Sequence, residues 1–106
     1  QGHSIKVDLG LKAKVPPQFL FHGTAERFMK SIAQKGLKPS GRHHVHLSAD
    51  YETAEKVGMR HGTPVVLRIE AEQMYSNGET FFLSDNGVWL TDKVDPKYFS
   101  IVEENG

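Results

Sequence analysis

Short apolar runs bounded by turn residues alternate along the chain with stretches in which apolar residues return every three or four positions. The first run, Phe19-Leu20-Phe21, lies between Pro16-Pro17 and Gly23 and is rich in aromatics, which predicts a buried strand over residues 19–24 that delivers His22, Gly23 and Thr24 into a cleft. Over residues 25–35, Ala25, Phe28, Met29, Ile32 and Ala33 keep helical spacing. A helix is therefore expected there, with the Thr24 hydroxyl placed to cap its first N–H groups and Gly36 closing it as a left-handed C-cap. A strand, a glycine turn and a helix N-terminus in succession favour anions and ribose hydroxyls. The same three residues, taken alone, fit a capped strand–helix junction with a locally satisfied histidine at least as well.

Alternation in Val45-His46-Leu47-Ser48 sets Val45 and Leu47 on one face and His46 and Ser48 on the other. A second helix is expected over residues 50–61, with Asp50 as N-cap and Ala54, Val57 and Gly58 on its inner side. Residues 65–70 form the clearest strand, central in its apolar first half, and residues 71–76 a short helix stopped at Asn77-Gly78. Further strands are expected over residues 81–83, 87–91 and 98–102, with a turn at Ser84-Asp85-Asn86-Gly87. Near the start, Ile5, Val7 and Leu9 could pair as an edge strand, and residues 103–106 read as a frayed polar tail. Two principal helices in the first half and short strands in the second give an α+β class with mainly antiparallel pairing, as one domain over residues 1–106.

Composition changes this picture little. A length of 106 residues suits one core and is small for a complete two-substrate enzyme. Thirteen basic residues balance thirteen acidic ones, which argues against a nucleic-acid binder held by net charge alone. There is no cysteine, hence no disulfide scaffold and no Cys-based zinc site. Neither a membrane-length apolar run nor a signal-peptide succession is present, so a cytoplasmic location is expected.

Five of the six histidines lie between residues 22 and 61, which raises the question of a metal. Only His44 and His46 of the cluster would share a side, and no acidic or cysteine partner stands at zinc spacing, so no metal is expected. Ser48 has no glycine-framed elbow that would make it a nucleophile. Arg60, in the last helical turn before Gly62, could reach a phosphate with two N–H donors or could simply suit the helix dipole. Gly58 lowers helix propensity by about 1 kcal/mol, a cost that close approach of a ligand or of backbone would justify. Trp89 reads as a core residue, with Val88 and Leu90 turned to the opposite side of its strand.

In order along the chain, Gln1-Gly2-His3-Ser4, Pro17-Gln18-Phe19-Leu20-Phe21-His22-Gly23-Thr24, Val45-His46-Leu47-Ser48-Ala49-Asp50, Val57-Gly58-Met59-Arg60-His61-Gly62 and Asn86-Gly87-Val88-Trp89-Leu90-Thr91 closely resemble the RNA 2'-phosphotransferase family. The resemblance spans nearly the whole chain. It implies the NAD+-binding lobe of that enzyme, with an ADP-ribosyltransferase-like fold of two small packed β-sheets. In that family an internal RNA 2'-phosphate attacks the nicotinamide ribose of NAD+ and expels nicotinamide. The ribose 2''-hydroxyl then attacks the phosphodiester, giving 2'-OH RNA and ADP-ribose 1'',2''-cyclic phosphate.

The resemblance assigns catalysis to Arg60, which matches a phosphate-gripping arginine, and to His46. It assigns the cofactor to His22, Gly23 and Thr24, with His22 on the adenosine ribose, to His46 and Ser48 near the nicotinamide ribose, and to Asp50, Arg60 and Val88. At Val88 many ADP-ribosyltransferases carry a glutamate, and the apolar residue counts against that activity. NAD+ as co-substrate, no metal, RNA as partner and a monomeric state are the expectations. The family's preceding winged-helix lobe, its Arg-His pair and a further arginine find no counterpart, because the chain begins at Gln1. The resemblance therefore implies NAD+ binding with little or no phosphate transfer; a stand-alone NAD+ or ADP-ribose module and an ADP-ribosyltransferase are the alternatives.

Overall fold

A computed structural model of the chain describes residues 12–39 and 44–102, and these form an α+β fold of two small antiparallel sheets. Strands β1 (Lys12–Ala13), β3 (Val45–Leu47), β5 (Phe81–Leu83) and β6 (Trp89–Thr91) make a four-stranded sheet in the order β1-β5-β6-β3. Strands β2 (Leu20–Ala25), β4 (Pro64–Ile69) and β7 (Phe99–Val102) make a three-stranded sheet with β4 in the middle. β4 is central because both its edges are paired, to β2 and β7, and its apolar run buries Val66, Leu67 and Ile69 while Arg68 faces outward. Helices α1 (Met29–Lys35), α2 (Tyr51–Met59) and α3 (Ala71–Ser76) lie between strands, and 3₁₀ turns occupy Glu26–Phe28 and Pro96–Tyr98. The edge strand expected near Ile5, the Gln-Gly-His-Ser motif and the frayed tail lie outside the described residues, as do Arg42 and His43.

The core sits between the sheets. Leu20, Leu67 and Ile69 from one sheet meet Val45, Leu47 and Phe81 from the other, and Met74 of α3 closes the cluster. Among the described residues, main chain joins the sheets at one point: the Phe21 N–H donates to the Ser48 carbonyl at 2.9 Å, and the Ser48 N–H to the Phe21 carbonyl at 2.7 Å. That bridge brings the C-terminal end of β3 against β2.

Four expectations need correction. The β2–β4 ladder runs from Leu20↔Ile69 through Ala25↔Pro64, so Gly23 is an in-strand residue and no turn forms at it. Thr24 is buried within β2 and caps nothing; the 3₁₀ turn begins after Ala25, without a side-chain cap. The continuous helix expected over residues 25–35 is a 3₁₀ turn followed by a seven-residue α1, which buries no residue completely. Its stripe is incomplete because Phe28 and Ala33 face outward. Gly36 does close α1, at φ 82°, with its N–H on the Ile32 carbonyl at 2.7 Å. Gly87 and Val88 belong to the turn between β5 and β6, where the Val88 N–H donates to Ser84 Oγ at 3.1 Å.

Candidate functional site

Alternation along β2 divides its residues between two faces. Gly23 meets α2 so closely that a Cβ on it would lie 1.7 Å from the Ala54 carbonyl oxygen, and one on Gly58 2.5 Å from the Thr24 carbonyl oxygen. The missing side chains let helix and strand backbones touch, which accounts for Gly58 in mid-helix without any ligand. Phe21 shares that face and packs edge-on against Tyr51, ring centroids 6.5 Å apart.

His22 and Thr24 point the other way. The His22 Nδ1–H donates to the His46 carbonyl oxygen at 2.9 Å, since a carbonyl can only accept. Burial pushes the His22 pKa below 6.5, against the opposing effect of that hydrogen bond, and the neighbouring His46 and His61 push the same way as burial. A neutral imidazole with Nδ1 protonated leaves Nε2 as a hydrogen-bond acceptor. Thr24 is only 5% exposed, and its hydroxyl has no partner among the described residues. Buried hydroxyls are rarely left unpaired, so this one stands out among the polar groups of β2.

His46 is exposed on β3, flanked by buried Val45 and Leu47, as the alternation predicts. Its Nδ1–H donates to the His44 carbonyl oxygen at 3.2 Å, which turns its Nε2 outward in the same way. Ser48 is tied by its backbone to Phe21 and the His22 ring reaches the His46 carbonyl, so His22, His46 and Ser48 lie where the sheets meet, with Thr24 two residues beyond His22 on the same face of β2. Asp50 caps α2, as expected: Oδ2 accepts from the Thr53 N–H at 2.9 Å and Oδ1 from the Thr53 hydroxyl at 3.0 Å. Those bonds, the backbone one first, hold its carboxyl below the usual range.

Nine residues of α2 separate Asp50 from Arg60, about 14 Å of helix. Arg60 is exposed, its backbone N–H on the Val57 carbonyl at 3.1 Å, and its guanidinium has no partner among the described residues. Val88 is half-buried beside Trp89, the pairing partner of Leu47. Among the described residues no three potential metal ligands converge. Glu26 and Arg27 escaped the sequence reading: with His61, Gly62 and Thr63 they line an open cleft of about 290 Å³. Their signal was hidden because residues 25–28 match a helical stripe, which directs attention to the apolar members only.

The chain matches, over residues 1–93, the family model described as RNA 2'-phosphotransferase, Tpt1 / KptA family. It belongs to the RNA 2'-phosphotransferase family. A protein of Acaryochloris marina named "Probable RNA 2'-phosphotransferase" is 62% identical over 103 residues, 97% of this chain and 57% of the relative. Proteins of the same name from Hahella chejuensis and Agrobacterium fabrum are 55% and 56% identical, covering 97% and 95% of this chain and 55% and 54% of their own lengths. The chain thus spans about half the length of the curated relatives it matches.

Proposed function

We propose that this chain binds NAD+ at the seam of the two sheets and provides the phosphate grip for RNA 2'-phosphate transfer, in an ADP-ribosyltransferase-like fold. The observation that carries the reading is the oriented, neutral His22 imidazole, whose Nε2 offers a lone pair on the same face of β2 as the buried Thr24 hydroxyl, which has no partner among the described residues. An acceptor and a hydroxyl on one face complement a ribose diol. Gly23 contributes main-chain groups alone, because the space where a side chain would stand belongs to Ala54. His46 and Ser48 orient the second ribose, and the Asp50 cap fixes the start of the helix that carries Arg60. Val88 provides an apolar wall in place of a carboxylate.

When bound, NAD+ supplies an electrophilic ribose carbon whose nicotinamide departs with the bonding electron pair. An RNA 2'-phosphate is already an anionic nucleophile, so this chain needs no general base to activate it. Its work is positioning and charge stabilisation. Arg60, with no partner of its own among the described residues, is free to hold two phosphate oxygens through parallel N–H donors. The test is Arg60→Ala. NAD+ affinity is expected to stay within about threefold, while single-turnover transfer from 2'-phosphorylated RNA, in a chain of the relatives' full length, falls by about 100-fold. Equal losses in both would contradict the assignment of Arg60 to the phosphate.

A further inference from the structure

Beyond the seam, the turn that follows β2 meets the turn that follows α2, held by the Glu26 N–H on the Thr63 carbonyl at 2.9 Å. The open cleft between them has Phe28 at its side, 42% exposed. The Arg27 guanidinium lies 4.9 Å from the Phe28 ring centroid. The His61 ring meets Phe28 edge-on at 6.3 Å, with the planes at 70°. Phe28 is no member of the core cluster, so packing gives no reason for an aromatic here. Aromatic rings and guanidinium planes exposed in this way are the surfaces on which unpaired nucleobases stack.

We propose that Phe28, with Arg27 and His61, forms a stacking platform for an unpaired nucleobase of the RNA adjacent to the 2'-phosphate. The proposal rests on Arg60 as the phosphate-gripping residue: Arg60 directly precedes His61, so phosphate and platform are adjacent in the fold. Two features favour an RNA base over a base of the dinucleotide. The cleft is open, so a polymer can continue past it in either direction. Exposed Arg27, Lys30 and Arg60 meet a polyanion's charge, while Glu26, the one carboxylate lining the cleft, suits the exocyclic amine of a base.

Two 2'-phosphorylated trinucleotides test this, identical except that one carries an abasic site beside the phosphate. Their affinities, and that of NAD+, are measured by NMR titration of the chain and of its Phe28→Ala, Phe28→Leu and Phe28→Trp variants. The unmodified chain is expected to prefer the base-bearing probe by about tenfold. Phe28→Ala and the volume-conserving Phe28→Leu should abolish that preference, Phe28→Trp should retain it, and NAD+ affinity should not change in any of the three. Equal binding of the two probes by the unmodified chain would overturn the proposal. So would a loss of NAD+ affinity in Phe28→Ala and Phe28→Leu as large as the loss of RNA affinity, which would give the platform to the cofactor's adenine. Failure of the Arg60 reading is seen separately, as unchanged binding of the abasic probe by Arg60→Ala.

Discussion

His22 does two things that oppose each other. Its ring is withdrawn from water, which disfavours the imidazolium, yet its Nδ1–H is committed to the His46 carbonyl, which favours it, and burial wins. The consequence is a pH dependence with a definite sign. The folded pKa lies below the unfolded value of 6.5, so between the two the unfolded chain binds more protons and stability rises with pH. The contribution is complete above about pH 6.5 and is lost as the pH falls from there towards the folded pKa. Urea unfolding at pH 5 and pH 7.5 should show lower stability at the acidic value, and His22→Asn should reduce the difference. An unchanged difference would mean that another group carries it. At this scale the sequence displayed His22 and His46 as polar residues on strands, but which nitrogen carries the proton depends on a carbonyl 24 residues away, beyond any local pattern.

The contact between β2 and α2 is made by absent side chains. With the Ala54 carbonyl oxygen 1.7 Å from where a Gly23 Cβ would stand, Gly23→Ala must push helix and strand apart. Overpacking against backbone has no rotamer escape, so a loss of about 3 kcal/mol is expected in urea unfolding. Unchanged stability would show that α2 can slide away. The elements themselves were largely legible. Alternation gave β3 and β4, Asp50 gave the start of α2, and Asn77-Gly78 gave the end of α3, each from a local cause that the tertiary fold leaves in place. Residues 23–28 were not legible, because a hydroxyl followed by an apolar stripe satisfies local rules for a helix start. The ladder to β4 continues to Ala25↔Pro64 and draws Thr24 into the strand, and the Glu26 N–H then goes to Thr63. Non-local pairing overrode a sound local signal.

At the scale of the fold, the two sheets share a core and meet through the main-chain bridge from Phe21 to Ser48. The polar groups gathered at that bridge come from β2 and β3, and α2 runs from beside it to Arg60 at its far end. Motif order along the chain had already marked these segments for the RNA 2'-phosphotransferase family, and the match over residues 1–93 bears the family out. Which side chains meet was not legible, since it depends on the antiparallel register that sets β3 against β2 and on the Gly23–Ala54 approach. The claim at the centre is that this seam receives NAD+. The most direct measurement is a titration of the 106-residue chain with NAD+, followed by ¹H–¹⁵N NMR. Saturable shifts are expected around His22, Thr24, His46 and Ser48, with His22→Ala weakening the affinity. No shifts at millimolar NAD+, or shifts confined to residues remote from the seam, would contradict the claim.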